Sequence, residues 1–253
     1  MLRICSVSTV SYIWLAFWLE ERLIDPDGTS RDVSILMDYL TSYAFPKGTH
    51  TISSNIAFGI SLGGHAVWHC LLQEPRITAG VVVIGCPNYT ALMTDRARLS
   101  KRKTYTSSSP PGKEFVGSED FPKGLVEAVE KYDPAGLFLG ELDSVREPSE
   151  NEKTRLRPIM RDALGGKRIQ CLSGGADKLV PYAAGKPFMD WLKSALKKDG
   201  GWFNDRGTVL EDIIDPKAGH EYSEKMAVEA IRFVCETLAG DGSEAASSRS
   251  AKL

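Results

Sequence analysis

Asn55-Ile56-Ala57-Phe58-Gly59-Ile60-Ser61-Leu62-Gly63-Gly64-His65-Ala66 is a short apolar run that ends in Gly-x-Ser-x-Gly-Gly and passes into a helix-like segment. The run up to Ile60 has strand character. Ala66, Val67, Cys70 and Leu71 then repeat at helical spacing, and Pro75 ends the pattern. A serine flanked by glycines at such a junction fits a tight turn whose backbone angles most residues tolerate badly. The turn holds the hydroxyl clear of the backbone, at a helix N-terminus whose N–H groups favour negative charge. Gly-x-Ser-x-Gly also arises by chance in loops. The strand before it and the helix after it favour the functional reading.

Working outward, Val33, Leu36, Met37 and Leu40 predict a helix over residues 31–43 with Thr29 or Ser30 as its cap, and Pro46-Lys47-Gly48 breaks the chain. Downstream, Gly80-Val81-Val82-Val83-Ile84-Gly85 lacks alternation and reads as a strand buried on both faces. Residues 88–166 read as an insertion over the sheet, with loop-like stretches at Lys101-Arg102-Lys103 and residues 107–112 and helical patches at 125–129 and 158–164. The basic triplet reads as a solvated loop. Lys167 to Ser173 forms the next strand and runs into Gly174-Gly175-Ala176-Asp177. Phe188, Trp191, Leu192 and Leu196 mark a helix, and Val209 to Ile214 a further strand that leads into residues 215–220. The last helix is expected from Ser223, with Ala227, Ile231, Val234 and Leu238 on its buried side. Residues 1–239 thus read as one domain, and the Gly/Ser/Ala-rich residues 240–253 as a disordered tail.

Helices alternating with strands predict a mostly parallel sheet covered by helices on both faces. Sites in such sheets form beyond the carboxyl ends of the strands. Ser61, Asp177 and His220 stand at three such ends. A serine hydroxyl is a weak nucleophile that needs a base with a pKa near 7, which histidine supplies. A carboxylate on the other imidazole nitrogen fixes the tautomer, and backbone N–H groups must hold the oxyanion; the Leu62 N–H, next after the nucleophile, is one donor. His220 competes with His50, His65 and His69. It is favoured because it alone lies in a Gly-His loop after a late strand, whereas His65 reads as structural on the elbow helix. Asp177 competes with Asp212 and Asp215, which share the strand and loop of the histidine; the orienting acid should come from a neighbouring strand.

The order Ser…Asp…His, the stretch Gly59-Ile60-Ser61-Leu62-Gly63-Gly64-His65, the stretch Gly174-Gly175-Ala176-Asp177-Lys178-Leu179-Val180-Pro181 and Gly219-His220-Glu221 together resemble the α/β-hydrolase superfamily. Within it, the chain is similar to fungal hydrolases of secondary-metabolite and toxin pathways. The resemblance covers residues 31–238. It implies an α/β-hydrolase-like fold, a mostly parallel sheet flanked by helices with a cap insertion between the elbow unit and the acid strand. It also implies a Ser61-His220-Asp177 triad working without metal or organic cofactor. Members of the family place several strands before the elbow, with a second oxyanion donor on a loop after the third. Only 60 residues precede Ser61 here, so the N-terminal strands are expected to be partly missing and the second donor has no named candidate.

Hydrophobic residues make up 42% and charged residues 25% of the chain, which are globular values, and a net charge of −2 without a basic run argues against a nucleic-acid surface. Cys5, Cys70, Cys86, Cys171 and Cys235 are odd in number and scattered, so neither a zinc site nor a disulfide framework is indicated and a reducing compartment fits best. The apolar run Tyr12-Ile13-Trp14-Leu15-Ala16-Phe17-Trp18-Leu19 is too short for a membrane span and lacks a signal-peptidase pattern; a buried strand or a poorly specified N-terminal segment is expected. Ala251-Lys252-Leu253 resembles a peroxisomal address read by an import receptor, with the cytoplasm as the alternative location.

Two functions remain in view. One is a serine hydrolase of an ester or thioester of a small apolar acyl compound, with Tyr105, Phe115, Phe121, Tyr132 and Phe138 of the insertion supplying the acyl pocket. The other is a non-catalytic binding or scaffold protein whose shortened sheet leaves an unpaired edge that invites homo-oligomerisation.

Overall fold

Strands β1 (Asn55–Ile60), β2 (Ile77–Val83), β3 (Arg168–Gly174) and β4 (Val209–Asp215) form one sheet in the order β1-β2-β3-β4. Every pairing is parallel. The structure is a computed structural model that describes residues 26–50, 52–140, 146–203 and 207–250. The segment 1–20 and Ala251-Lys252-Leu253, both singled out in the sequence, lie outside the described residues. The register aligns Ile60 with Val83, Val83 with Leu172, and Leu172 with Ile213. The strands therefore end in one row, and the segments after that row share one edge of the sheet.

The unalternating β2 sequence has the expected consequence. Val81, Val82 and Val83 are all buried, because helices cover both faces. On one face lie α2 (Leu62–Gln73), α6 (Pro134–Leu139), α7 (Glu150–Leu164) and α8 (Tyr182–Ala195). Their Trp68, Leu71, Phe138, Leu156, Met160, Leu164, Phe188 and Trp191 pack with Val82, Ile169 and Cys171 of the sheet. On the other face, α9 (Glu224–Ser250) packs Met226, Ala230, Phe233 and Val234 against Val81, Val83 and Leu172. Among the described residues no helix is long and apolar enough to cross a membrane.

Several expectations need correction. Helix α1 (Pro26–Ala44) starts before residue 31, with proline in the first turn, where its missing N–H is no loss. Ser30 is consequently inside the helix, and its hydroxyl donates to Gln73 Oε1 at 3.3 Å rather than capping. The buried side of α9 is Met226, Ala230, Phe233, Val234 and Thr237; Ile231 is 64% and Leu238 44% exposed. Apolar residues occur on both sides of that helix, and the sheet takes the side carrying the large Phe233 ring. The backbone of α9 stays helical to Ser250, past Gly240 where the composition suggested a tail.

The stretch 88–166 is also not a single cap. Helix α3 (Tyr89–Leu99), the short α4 (Lys103–Thr106) and α5 (Lys123–Tyr132) gather around a small separate core of Ala97, Phe115, Phe121, Leu125 and Val129. Helices α6 and α7 instead join the main core. Phe138 stacks against Phe188 and Trp191 with ring centroids 6.2 Å apart in each pair, which makes it a core residue rather than a pocket wall. Phe115 and Phe121 are buried against each other, so they too are spent on packing.

Candidate active site

Ser61 stands between β1 and α2 with φ 56° and ψ −114°. A non-glycine residue in that region carries backbone strain of about 1–3 kcal/mol. The surroundings hold it there: Ser61 N–H donates to Val83 O at 2.8 Å, and Ser61 O accepts from His65 N–H at 3.1 Å. The glycines have distinct tasks. A Cβ on Gly59 would collide with the Gly63 backbone, and one on Gly64 would stand 2.6 Å from Val83 O and 3.1 Å from Gly85. Gly63 itself faces open space. Gly59 and Gly64 are thus the residues of the motif that the close approach of strand and helix requires, with Gly85 as a third that the motif does not contain.

The expected acid and base come from the ends of β3 and β4. Asp177 has a fully buried side chain; its Oδ1 accepts from Leu179 N–H at 2.8 Å and Val180 N–H at 2.9 Å. Its Oδ2 lies 2.9 Å from His220 Nδ1. His220 Nε2 lies 2.9 Å from Ser61 Oγ. With Nδ1–H given to the carboxylate, Nε2 is left as the acceptor for the serine O–H. The two loops are laced together by Gly175 N–H to Asp215 O at 2.7 Å and Ala176 N–H to Ala218 O at 2.9 Å. Arg96 of α3 donates to Leu179 O at 3.1 Å and ties the insertion to the acid loop. Leu62 is the first residue of α2, so its N–H has no acceptor within the helix and lies next to the serine.

The rival residues are engaged elsewhere. Asp212 Oδ2 accepts from Tyr182 O–H at 2.6 Å and from Lys193 Nζ at 2.8 Å. Asp215 Oδ2 accepts from Ser223 O–H at 2.7 Å. His50 sits in an exposed turn beside Thr49 and Phe45. The Nδ1 of His65 lies 3.1 Å from Cys86 O and 3.2 Å from Cys86 N, and burial pulls its pKa down to about 4. Burial does the same to His69, again to about 4. Nearby, burial pushes the Asp133 carboxyl up to about 7 while the backbone N–H groups of Gly136, Tyr89 and Ala135 oppose it. This buried polar group behind the serine turn was not anticipated from sequence, since the histidines and Asp133 lie 64 residues and more apart in the chain except for the His65–His69 helical pair. Among the described residues no cluster of three His, Cys, Asp or Glu side chains is set to hold a metal ion.

No protein-family model matches the chain, and no curated protein does. Solved structures similar to it include a variant of Arabidopsis thaliana SOBER1, at 15% identity over 83% of this chain and 63% of that one, with a TM-score of 0.42. Pyrococcus horikoshii acylaminoacyl peptidase is similar at 16% identity over 78% of this chain and 24% of that one, TM-score 0.43. E-2-(acetamidomethylene)succinate hydrolase is similar at 19% identity over 83% of this chain and 74% of that one, TM-score 0.40. The chain spans less than two thirds of the length of the first two. At these scores the likeness assigns no chemistry. The chain's own geometry is α/β-hydrolase-like: four parallel strands with helices on both faces, a strained serine turn after β1, an acid after β3 and a histidine after β4, in the order Ser…Asp…His.

Proposed function

We propose that the chain is a serine hydrolase acting on an ester or thioester of a small apolar acyl compound. The observation that supports it is the continuous path Ser61 Oγ to His220 Nε2 and His220 Nδ1 to Asp177 Oδ2, 2.9 Å at each step. In this reading Ser61 Oγ attacks the carbonyl carbon as its proton passes to His220 Nε2. The oxyanion forms beside the Leu62 N–H, at the positive end of α2. Collapse breaks the C–O or C–S bond, and His220 returns the proton to the leaving group. A water molecule then repeats the sequence on the acyl-enzyme, releasing the acid and restoring Ser61. Asp177 holds the imidazole in the required tautomer and offsets its charge when protonated.

A fluorophosphonate probe tests the reading directly. The folded chain should be labelled at Ser61, and Ser61→Ala should abolish the labelling. Absence of labelling in the folded parent, or equal labelling of Ser61→Ala, would favour the non-catalytic alternative.

A further inference from the structure

Arg96 of α3 carries a charge that its neighbours do not answer. Arg98 pairs with Asp95 at 2.7 Å, and Arg102 with Asp120 at 3.4 Å. Arg96 is half-buried and has no carboxylate partner among the described residues. Its one hydrogen bond there runs from Nη2 to Leu179 O at 3.1 Å, and its buried Nε has none. Burial lowers its pKa, with Tyr89, Cys86 and Asp177 opposing, and Asp177 is the carboxylate of that set. An arginine keeps its charge all the same. Removing such a cation from water is costly, and a neutral side chain could tie α3 to the acid loop without that cost. The helix that delivers it is well fixed: Asn88 Oδ1 accepts from Ala91 N–H at 2.9 Å, Asp133 Oδ1 from Tyr89 N–H at 3.0 Å, and Leu92 and Ala97 are buried.

The acceptor shows what the charge can do. Leu179 O and Val180 N–H are the two ends of one peptide group. Arg96 donates to its oxygen, and its N–H donates to Asp177 Oδ1 at 2.9 Å. A cation on the carbonyl oxygen draws electrons across the planar amide and makes the N–H a stronger donor, so bonds in series reinforce one another. The series continues from Asp177 Oδ2 to His220 Nδ1 and from His220 Nε2 to Ser61 Oγ, 2.9 Å at each step. The Asp177 side chain is fully buried, so hydrogen bonds rather than water must hold its charge. A direct Arg–Asp pair would compete with His220 for the carboxylate; the peptide passes on the influence of the cation and leaves Oδ2 to the imidazole. We propose that Arg96 is a positioning residue of the hydrolytic site, acting on Asp177 through the Leu179–Val180 peptide, so that the orientation of His220 depends on where the insertion places α3. The proposal rests on the triad reading of Ser61, His220 and Asp177. The competing role for Arg96 is a plain tether between α3 and the acid loop.

Nuclear magnetic resonance of the full chain, alongside ester turnover, separates the two roles. The Leu179 N–H is the internal reference: it donates to the same Asp177 Oδ1 at 2.8 Å, but it belongs to the preceding peptide group, whose oxygen Arg96 does not touch. In Arg96→Met the Val180 amide proton should move upfield, and by more than that of Leu179. The kcat of ester hydrolysis should fall about tenfold while KM stays within about twofold. An unmoved Val180 amide, or equal displacement of both amides, overturns the proposal, as does an unchanged kcat. If Arg96→Met fails to fold, Arg96→Lys and Arg96→Gln take its place, the first keeping the cation and the second only a neutral donor. A Val180 amide near its parent position in Arg96→Lys and displaced in Arg96→Gln supports the relay; the same position in both refutes it. The amide readout needs no turnover, so it decides the relay even where Ser61 fails to react with the fluorophosphonate probe, a failure that counts against the hydrolase reading.

Discussion

Gly174, the last residue of β3, lies against the backbone of Gly219, the residue before the candidate base. A Cβ on Gly174 would fall inside the contact distance of Gly219 O and 2.7 Å from Ala218 O. The acid and histidine loops are thus held backbone to backbone, and the 2.9 Å hydrogen bond between Asp177 and His220 is set by that closeness. Gly174→Ala forces the loops apart by several tenths of an ångström or more. Misplacement on the scale of 1 Å costs about 100-fold in rate. We expect kcat of ester turnover to fall by about that factor while thermal unfolding stays cooperative. An unchanged kcat would show that the loops are not what sets the site.

Asp177 divides its oxygens, Oδ1 to the Leu179 and Val180 amides and Oδ2 to His220. In Asp177→Asn the two amides retain the carbonyl oxygen, and the NH2 group is turned toward His220 Nδ1. That nitrogen must then accept, which moves the imidazole proton to Nε2 and leaves Ser61 without a base. Turnover is expected to drop by about 10⁴-fold, as the wrong tautomer does in serine triads generally. The fold should survive, since the loop hydrogen bonds persist. The measurement is ester hydrolysis at neutral pH alongside circular dichroism of the variant.

How far the residues announced this arrangement depends on the range of the forces involved. The serine turn was legible because strand, glycines and helix are local. Asp177 and His220 were legible because parallel topology leaves few places for a site. The face of α9 was not: Ile231 and Phe233 are both apolar, and only the sheet surface selects between them. The small core of residues 89–132 was missed for a related reason, since aromatic residues in an insertion have no periodicity that separates packing from a pocket. Gly85 shows the same limit at the site. Its contact with Gly64 joins segments 21 residues apart, and no local pattern marks it.

The reassignment of Phe138 makes its own prediction. Its ring is fully buried and stacks with Phe188 and Trp191 beneath the sheet. Phe138→Ala should destabilise the chain by about 3–5 kcal/mol, through lost transfer energy and the cavity left behind. It should leave the preference for acyl chain length unchanged. Denaturant unfolding gives the first quantity, and relative kcat/KM across a series of acyl esters gives the second. A shift in chain-length preference would restore Phe138 to a pocket wall.

His69 should leave a signature in the pH dependence of stability. Burial lowers its pKa from 6.5 to about 4, partly opposed by a hydrogen bond to the Tyr132 backbone. Between those values the unfolded chain takes up a proton that the folded chain refuses, so stability falls as pH falls from 6.5 toward 4. One proton corresponds to about 1.4 kcal/mol per pH unit. His65 has the same sign, its pKa also being lowered to about 4. Asp133 has the opposite sign: raised from 3.8 to about 7, it keeps a proton in the folded chain that the unfolded chain has lost, so its contribution falls as pH rises through that window. Near pH 5 unfolding therefore binds two protons at the histidines and releases one at Asp133, a net uptake of one from this group. His69→Gln retains a donor for Tyr132 and removes one titration. The slope of unfolding free energy against pH between 4.5 and 6 should then drop by about 1.4 kcal/mol per unit. Urea unfolding of parent and variant at three pH values in that range measures it. Parallel slopes would mean that His69 titrates normally and is not enclosed between α2 and α5.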